Sequence, residues 1–249
     1  MDPLFDFTGK LVLITGGSRG LGYQMVKAFA ERGADVIIAS RKLDACELVA
    51  DEVRALGRRA LALSVHAAKW DSIDKMVEAA YGEFGRLDTC VNNAGMSPAM
   101  ASDEVPEALF DSVVGFNFKG PFRLATQVAK RMTAGDGGSI INVSSTGSVM
   151  PGPMVMPYGS AKAALNAMTR SIAAEYGPNV RCNTLCPGPF LTDIANAWEP
   201  EARERTDNAL GRPGRPEEIV TAALFLASPA SSFTNGTFVR VDGGLPVSI

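Results

Sequence analysis

Histidine is nearly absent from this chain of 249 residues: His66 stands alone. One imidazole rules out multi-histidine metal sites, and a Ser-His-Asp hydrolase would have to route its proton through that single residue. Cysteine is scarce too. Cys46, Cys90, Cys182 and Cys186 lie 44, 92 and 4 residues apart, spacings that fit neither a disulfide framework nor a zinc ribbon, so they read as reduced, structural thiols. Basic charge is not in excess. The 24 Lys plus Arg against 27 Asp plus Glu give a formal charge of −3 and a pI near 5.3, which leaves no electrostatic footprint for nucleic acid. No apolar run approaches the ~18 to 20 residues that span a bilayer. The segment Met1 to Lys10, with Asp2 and Asp6 and no basic start, is unlike a signal peptide. The expectation is a cytoplasmic protein with neither a membrane nor a nucleic-acid partner.

What is present is core-forming material. Hydrophobic residues make up 46% and charged residues 20%, enough for one sizeable core, and no linker divides residues 1–249 into more than a single domain. Short β-branched runs alternate with longer amphipathic segments, the pattern of strand-helix units in an α/β parallel sheet. Leu11–Thr15, Asp35–Ala39, Ala60–Ser64, Asp88–Val91, Ser139–Val143, Val180–Leu185 and Phe238–Val241 read as strands. Helices are expected at Leu21–Arg32, Leu43–Leu56, Ser72–Phe84, Glu107–Met132, Tyr158–Tyr176 and Pro216–Leu226. Two stretches break the alternation, Thr146 to Pro157 and Pro187 to Gly214, and loops of that length usually carry function.

The first strand runs into Thr15-Gly16-Gly17-Ser18-Arg19-Gly20-Leu21-Gly22 and then into a helix. Glycines there permit a tight turn and let backbone N–H groups approach a pyrophosphate, which the positive end of the helix stabilises. The spacing is Gly-x-x-x-Gly-x-Gly. Gly16 to Gly20 also satisfies Gly-x-Ser-x-Gly, the nucleophile elbow of hydrolases, but His66 comes too early in the chain to complete that triad. In a dinucleotide site, the end of the second strand chooses the cofactor: a carboxylate holds the ribose 2′-OH of NAD, and an Arg accepts the 2′-phosphate of NADP. Here it reads Ser40-Arg41-Lys42, without a carboxylate. Arg41, helped by Arg19, is expected to clamp that phosphate, so NADP(H) is the preferred cofactor and NAD(H) the alternative.

Tyr158 and Lys162 are four apart in a predicted helix, which puts both on one face. A tyrosine ordinarily titrates near 10, and an ammonium beside it favours the phenolate and moves the group toward the working range. Ser145 precedes Tyr158 by 13 residues at the end of a strand, where its hydroxyl could hold a carbonyl or alcohol oxygen.

With these residues on the page, the chain resembles the short-chain dehydrogenases/reductases from about Lys10 to Gly244, in particular the 3-oxoacyl-[acyl-carrier-protein] reductase-like and gluconate 5-dehydrogenase-like members. The matching motifs are Thr15 to Gly22, Asn92-Asn93-Ala94-Gly95, Asn117, Ser145, Tyr158, Lys162, Pro187-Gly188 with Thr192, and Val241-Asp242-Gly243-Gly244. The resemblance implies a Rossmann-type doubly wound sheet of seven parallel strands with helices on both faces, and NAD(P)-dependent interconversion of a carbonyl and an alcohol. It makes Tyr158 the general acid in reduction and the base in oxidation, Lys162 the group that lowers its pKa and holds the nicotinamide ribose, and Ser145 the orienting hydroxyl. Asn117 would hold a water joining Lys162 to solvent. Asn93, Ala94 and Gly95 would line the adenosine-ribose side, and Thr192 would bond the carboxamide beside Pro187 and Gly188. A homotetramer is also implied, built from the two long helices and the last helix and strand; the apolar end, Leu245 to Ile249, fits burial in such a contact.

Two departures from the family pattern stand out. The third strand, which often ends in an Asp that meets adenine, ends here in Ser64-Val65-His66, so adenine recognition would fall to backbone atoms or the Ser64 hydroxyl. His66 reads as a loop residue. Thr234-Asn235-Gly236 stands where a Thr-Gly pair is usual. Around the tyrosine, Met96, Met100, Val149, Met150, Met154, Phe190, Ile194 and Trp198 suggest an apolar, adaptable pocket, with 189–214 as a lid. The expected substrate is a mid-sized hydrophobic ketone, such as a 3-oxoacyl thioester. Two alternatives remain: an NAD-dependent dehydrogenase of a sugar, polyol or steroid alcohol, and a non-catalytic dinucleotide sensor or scaffold.

Overall fold

Strands that are apolar at every position need cover on both faces, which a parallel sheet between two helical layers supplies. The computed structural model, which describes residues 2–246 (the side chains of Ile194 and Ala197 excepted), has this arrangement. All five residues of β1 (Leu11–Thr15) are buried. The other strands are β2 (Asp35–Ser40), β3 (Ala60–Ser64), β4 (Thr89–Asn92), β5 (Gly138–Val143), β6 (Val180–Pro187) and β7 (Phe238–Val241). They form one parallel sheet in the order β3-β2-β1-β4-β5-β6-β7.

Alternate side chains of β1 serve opposite layers. Val12 and Ile14 pack with Met25, Val26 and Phe29 of α1 (Gly20–Glu31), with α2 (Leu43–Ala55), and with α8 (Val220–Ala227). Leu11 and Leu13 pack with α3 (Trp70–Phe84), α5 (Gly120–Thr133) and α6 (Met156–Glu175). Fully burying one such Phe or Ile contributes roughly 1.5–3 kcal/mol. The fold is therefore the doubly wound sheet expected, and all seven expected strands are present. All four cysteines are buried and unpaired, and burial pushes the Cys90 and Cys186 thiols up to about 12. Among the described residues no helix is long and apolar enough to cross a membrane, and no group of acidic, His and Cys side chains could hold a metal.

Strand order reverses between β1 and β4, so the chain leaves these neighbours toward opposite edges and opens a crevice at their carboxyl ends. The glycine turn, the segment after β4 and Ser145 all lie at that end of the sheet.

Two expected helices differ; that over Pro216–Leu226 begins as a 3₁₀ turn (Pro216–Ile219) before α8. The long helix over Glu107–Met132 is three pieces: α4 (Glu107–Val114), a π-helical turn over Gly115–Lys119, and α5. Pro121 has no N–H to give the Asn117 carbonyl, so the α pattern cannot continue there, and the Gly120 N–H reaches back five residues to the Gly115 carbonyl. Only glycine fits at 120, where a Cβ would lie 1.7 Å from the Ala67 carbonyl oxygen. The expected lid contains a short 3₁₀ turn (Asp193–Ala197) and α7 (Pro200–Glu204). Of the apolar tail, residues 247–249 lie outside the described residues.

Candidate active site

The turn after β1 is shaped by two close approaches. Gly16 has φ +67°, and a Cβ on Gly22 would sit 2.2 Å from the Gly16 carbonyl oxygen. The Arg19 side chain makes no capping bond to α1, so the first N–H groups of the helix have no partner from that side chain. A turn of this shape at a helix N-terminus has the donors that an anion such as a pyrophosphate requires. Gly22→Ala should lower affinity for NADP(H) at least tenfold, read by cofactor fluorescence titration; unchanged affinity would remove the turn from that role.

Asn93 is spent on the protein. Its Nδ2 donates to the carbonyls of Thr15 (2.9 Å) and Gly16 (3.3 Å), while the N–H groups of Asn93 and Ala94 donate to Thr15 Oγ1. These bonds lock β4 to the glycine turn. The side-chain amide donors of Asn93 are thus engaged by the turn after β1. Gly95 lies on the other flank: a Cβ there would be 2.7 Å from Asn117 Oδ1 and 3.6 Å from Lys162 Nζ.

At the end of β2, the Ser40 and Ser18 hydroxyls are hydrogen-bonded at 2.8 Å. Ser18, the elbow serine of the hydrolase pattern, therefore has a serine and not the histidine as its partner. Ser64 Oγ donates to the Arg41 carbonyl at 3.1 Å, and Val65 gives its N–H to the Ser40 carbonyl while its side chain is buried in the α3 layer. Of the two arginines expected to meet a phosphate, Arg19 donates to Asp193 Oδ2 at 3.2 Å, whereas the Arg41 guanidinium lies 5.9 Å from the centre of the Phe116 ring. His66 is a loop residue as expected, its ring 4.9 Å from that of Phe116.

Pro187 and Gly188 continue from β6 beside the closing glycine motif. The Gly188 N–H donates to the Val241 carbonyl. Thr192 crosses over the start of α1, with its Cβ 3.6 Å from where a Gly20 side chain would begin. Between them lies an open groove of about 330 Å³ lined by Gly20, Gln24, Leu191, Thr192, Asp193, Asn196 and Pro216. Leu21 packs against the α1 layer behind it.

The tyrosine and lysine share one face of α6. Lys162 Nζ is 5.8 Å from the centre of the Tyr158 ring and donates to the Val143 carbonyl at 2.7 Å. Lys162 is 3% exposed, and burial pushes its pKa down to about 8. Tyr158 departs from the expectation that the ammonium lowers it: burial raises its pKa, and a hydrogen bond with Ser145 acts the other way. In a buried phenol, desolvation of the anion outweighs that bond. Ser145 Oγ accepts from the Gly147 N–H at 3.1 Å.

Asn117 sits on the π turn. Its Nδ2 donates to the carbonyls of Met96 (2.8 Å) and Val113 (2.9 Å), and its buried Oδ1 has no partner. An acceptor left over beside Lys162 and Gly95 suits a water in the site. The π turn itself escaped the sequence reading, although Pro121 was its signal. Two other residues were also passed over. Asp193 holds Arg19, and Asn208 ties the lid down by donating to the Arg212 carbonyl at 2.8 Å and the Asp242 carbonyl at 3.2 Å.

Not every apolar pocket candidate lines the crevice. Phe190 is buried, pairs by a bridge with Gly214, and packs its ring where a Gly214 side chain would be. It ties the two ends of residues 189–214 together. Val149 and Met154 are exposed at the mouth.

The profile of the family described as enoyl-(acyl carrier protein) reductase matches residues 16–246. The chain belongs to the short-chain dehydrogenases/reductases. Among its relatives, L-rhamnose 1-dehydrogenase (NAD(P)(+)) of Azotobacter vinelandii is 37% identical, covering 96% of this chain and 98% of that one. The 5-keto-D-gluconate 5-reductase of Escherichia coli is 32% identical over the full length of both. A solved 3-oxoacyl (acyl-carrier-protein) reductase of Agrobacterium tumefaciens with NADP bound superposes with a TM-score of 0.92 at 30% identity, covering 97% and 96% of the two chains. This short-chain dehydrogenase/reductase is an oxidoreductase acting between alcohols and ketones, with a single-domain Rossmann-type fold.

Proposed function

We propose that the enzyme reduces a mid-sized hydrophobic ketone, such as a 3-oxoacyl thioester, with NADPH. The observation that carries this reading is the wall around Tyr158. Neither 93–102 nor 145–157 contains an ionisable side chain, and the two segments are clipped together by a 2.8 Å bond from the Met100 N–H to the Met154 carbonyl. Val149 and Met154 present apolar surface at its edge, whereas a sugar would need hydrogen-bonding groups for each hydroxyl. Oxidation of a sugar or polyol is the second reading, favoured by the names of the rhamnose and gluconate relatives. Initial rates with NADPH across sugars, acetoacetyl thioesters and steroid ketones separate the two; a preference for sugars over every apolar ketone sinks the first.

A dinucleotide in this crevice would supply the hydride. The glycine turn and the start of α1 would hold its pyrophosphate, Ser18, Ser40 and Arg41 its 2′-phosphate, and Lys162 with Thr192 its nicotinamide end. Ser145 Oγ donates to the ketone oxygen and fixes its position. Tyr158 passes its phenolic proton to that oxygen, and Lys162 Nζ, with a water held on Asn117 Oδ1, restores the proton. Residues 189–214 act as the lid, rooted at Phe190 and Asn208, and its Arg19–Asp193 pair is exposed enough to yield to a phosphate.

Arg41→Ala should raise KM for NADPH by about 10- to 100-fold, the loss of one charge-assisted contact of roughly 1.5–3 kcal/mol, and leave KM for NADH within twofold. Parallel changes in both would remove Arg41 from the selectivity. Self-association into a homotetramer has support in the exposed Phe110 and Phe122 on α4 and α5 and Phe225 on α8; light scattering should give about four times the chain mass.

A further inference from the structure

Tyr158, Lys162 and Asn166 follow one another at intervals of four on the inner face of α6. The first two are accounted for above; Asn166 is not. It is 8% exposed, a costly place for an amide unless it does something with its hydrogen bonds. Its Nδ2 donates to Ser148 Oγ at 2.8 Å, and its buried Oδ1 has no partner. Ser148 Oγ in turn donates to the Ser145 carbonyl at 2.6 Å. The same carbonyl accepts the Ser148 N–H at 2.9 Å. The 3₁₀ turn over Thr146–Ser148 that begins at Ser145 is thus tied to α6 by a side-chain relay.

We propose that Asn166, acting through Ser148, is a positioning residue that sets the direction of the Ser145 hydroxyl toward the substrate oxygen. The proposal rests on the role given to Ser145 above. A serine hydroxyl has one hydrogen. Ser148 can spend it on the Ser145 carbonyl because Asn166 offers Ser148 a donor and so asks only for its lone pair. The polarity of the relay is therefore fixed at the Asn166 end. Apart from the Ser145–Tyr158 hydrogen bond, the turn is otherwise held by bonds internal to 145–150, among them Gly147 N–H to Ser145 Oγ and Val149 N–H to the Thr146 carbonyl. Without the relay, the turn that aims Ser145 has fewer anchors to the helix bearing Tyr158 and Lys162.

Asn166→Asp is the discriminating variant, since it keeps size and burial but turns a donor into an acceptor. The carboxylate competes for the Ser148 hydrogen, and the Ser145 carbonyl loses its donor. Amide hydrogen exchange at Gly147, Ser148 and Val149 should quicken about tenfold in Asn166→Asp and in Ser148→Ala, with other α6 amides unchanged and NADPH affinity within twofold. With the best ketone of the panel above, kcat should fall about tenfold in each, and the double variant should be no worse than the worse single one, because both break one relay. Asn166→Ser, a smaller hydroxyl that can still donate, should recover part of the loss.

Unchanged exchange in Ser148→Ala would overturn the proposal, as would additive losses in the double variant. Should Asn166→Asp fail to fold, Ser148→Ala decides the matter alone, because it removes only a hydroxyl. Ser145→Ala keeps the two ideas apart. If it retains full activity, the role of Ser145 falls; if it loses activity while Ser148→Ala and Asn166→Asp match the wild type, Asn166 is a packing residue only.

Discussion

Tyr158→Phe should lower kcat for ketone reduction by about three orders of magnitude, while the dissociation constant for NADPH stays within twofold. The change deletes one oxygen from a half-buried ring and leaves the glycine turn, Arg41 and Lys162 in place, so cofactor binding has no reason to fall. General-acid assistance from a placed side chain contributes about 10²–10⁴-fold, and Tyr158 is the proton-bearing group hydrogen-bonded to Ser145. Because burial raises the Tyr158 pKa and the Ser145 hydrogen bond opposes it, the phenol is held in its protonated form across neutral pH, the form that reduction consumes. Stopped-flow or steady-state NADPH oxidation would read the rate and fluorescence titration the affinity. A variant with more than a tenth of wild-type kcat would show that the proton comes from elsewhere.

The second large effect concerns Lys162, and it has a signature in stability as well as rate. The folded chain holds this ammonium only up to a pH of about 8, against an ordinary value of ~10.4 in the unfolded chain. Below 8 both states carry the proton and stability does not change on this account. Above 8 the unfolded chain keeps a proton that the folded one has released, so stability rises with pH, by about 2 kcal/mol between pH 8 and 9.5. Tyr158 bends the curve the other way only above its ordinary ~10, whereas the four buried thiols, all raised by burial, lower stability from their ordinary ~8.5 upward and do so equally in wild type and in a Lys162 variant. Between pH 7.5 and 9.5 the urea midpoint of the wild type should therefore gain on that of Lys162→Met, and this difference isolates the lysine. Lys162→Met should also lose at least a hundredfold in kcat, because the Val143 carbonyl loses its donor and the site its one buried cation. Parallel stability curves would mean that the amine is already hydrated in the fold.

Much of this was legible before any coordinates. β1, β3 and β7 keep the bounds read from the sequence, because each is a short apolar stretch bounded by turn residues, whether buried throughout like β1 or at an edge of the sheet like β3 and β7. The Tyr158–Lys162 spacing translated directly into a shared face because a helix fixes its own geometry. What failed to translate were contacts between distant segments. Nothing local says that Arg19 meets Asp193, 174 residues away, or that the Asn93 amide bonds the turn after β1. Phe190 looked like a pocket residue by composition, yet it ties the two ends of residues 189–214 together. Tyr158 was read from charge alone, and burial, which no spacing reveals, turned out to set the direction of its shift.

The π turn at Gly115–Lys119 also bears on how sequences of this enzyme should be compared. Each residue of an α-helix advances the direction of its side chain by about 100°, so a turn that carries one residue more than its neighbours puts α4 and α5 out of phase. An apolar stripe traced through both as one continuous helix will look broken at that point. By the same reasoning, losing residue 118 or 119 would not merely shorten a segment. It would rotate Asn117 and everything before it around the helix axis relative to α5, and carry the unpaired amide oxygen away from Lys162.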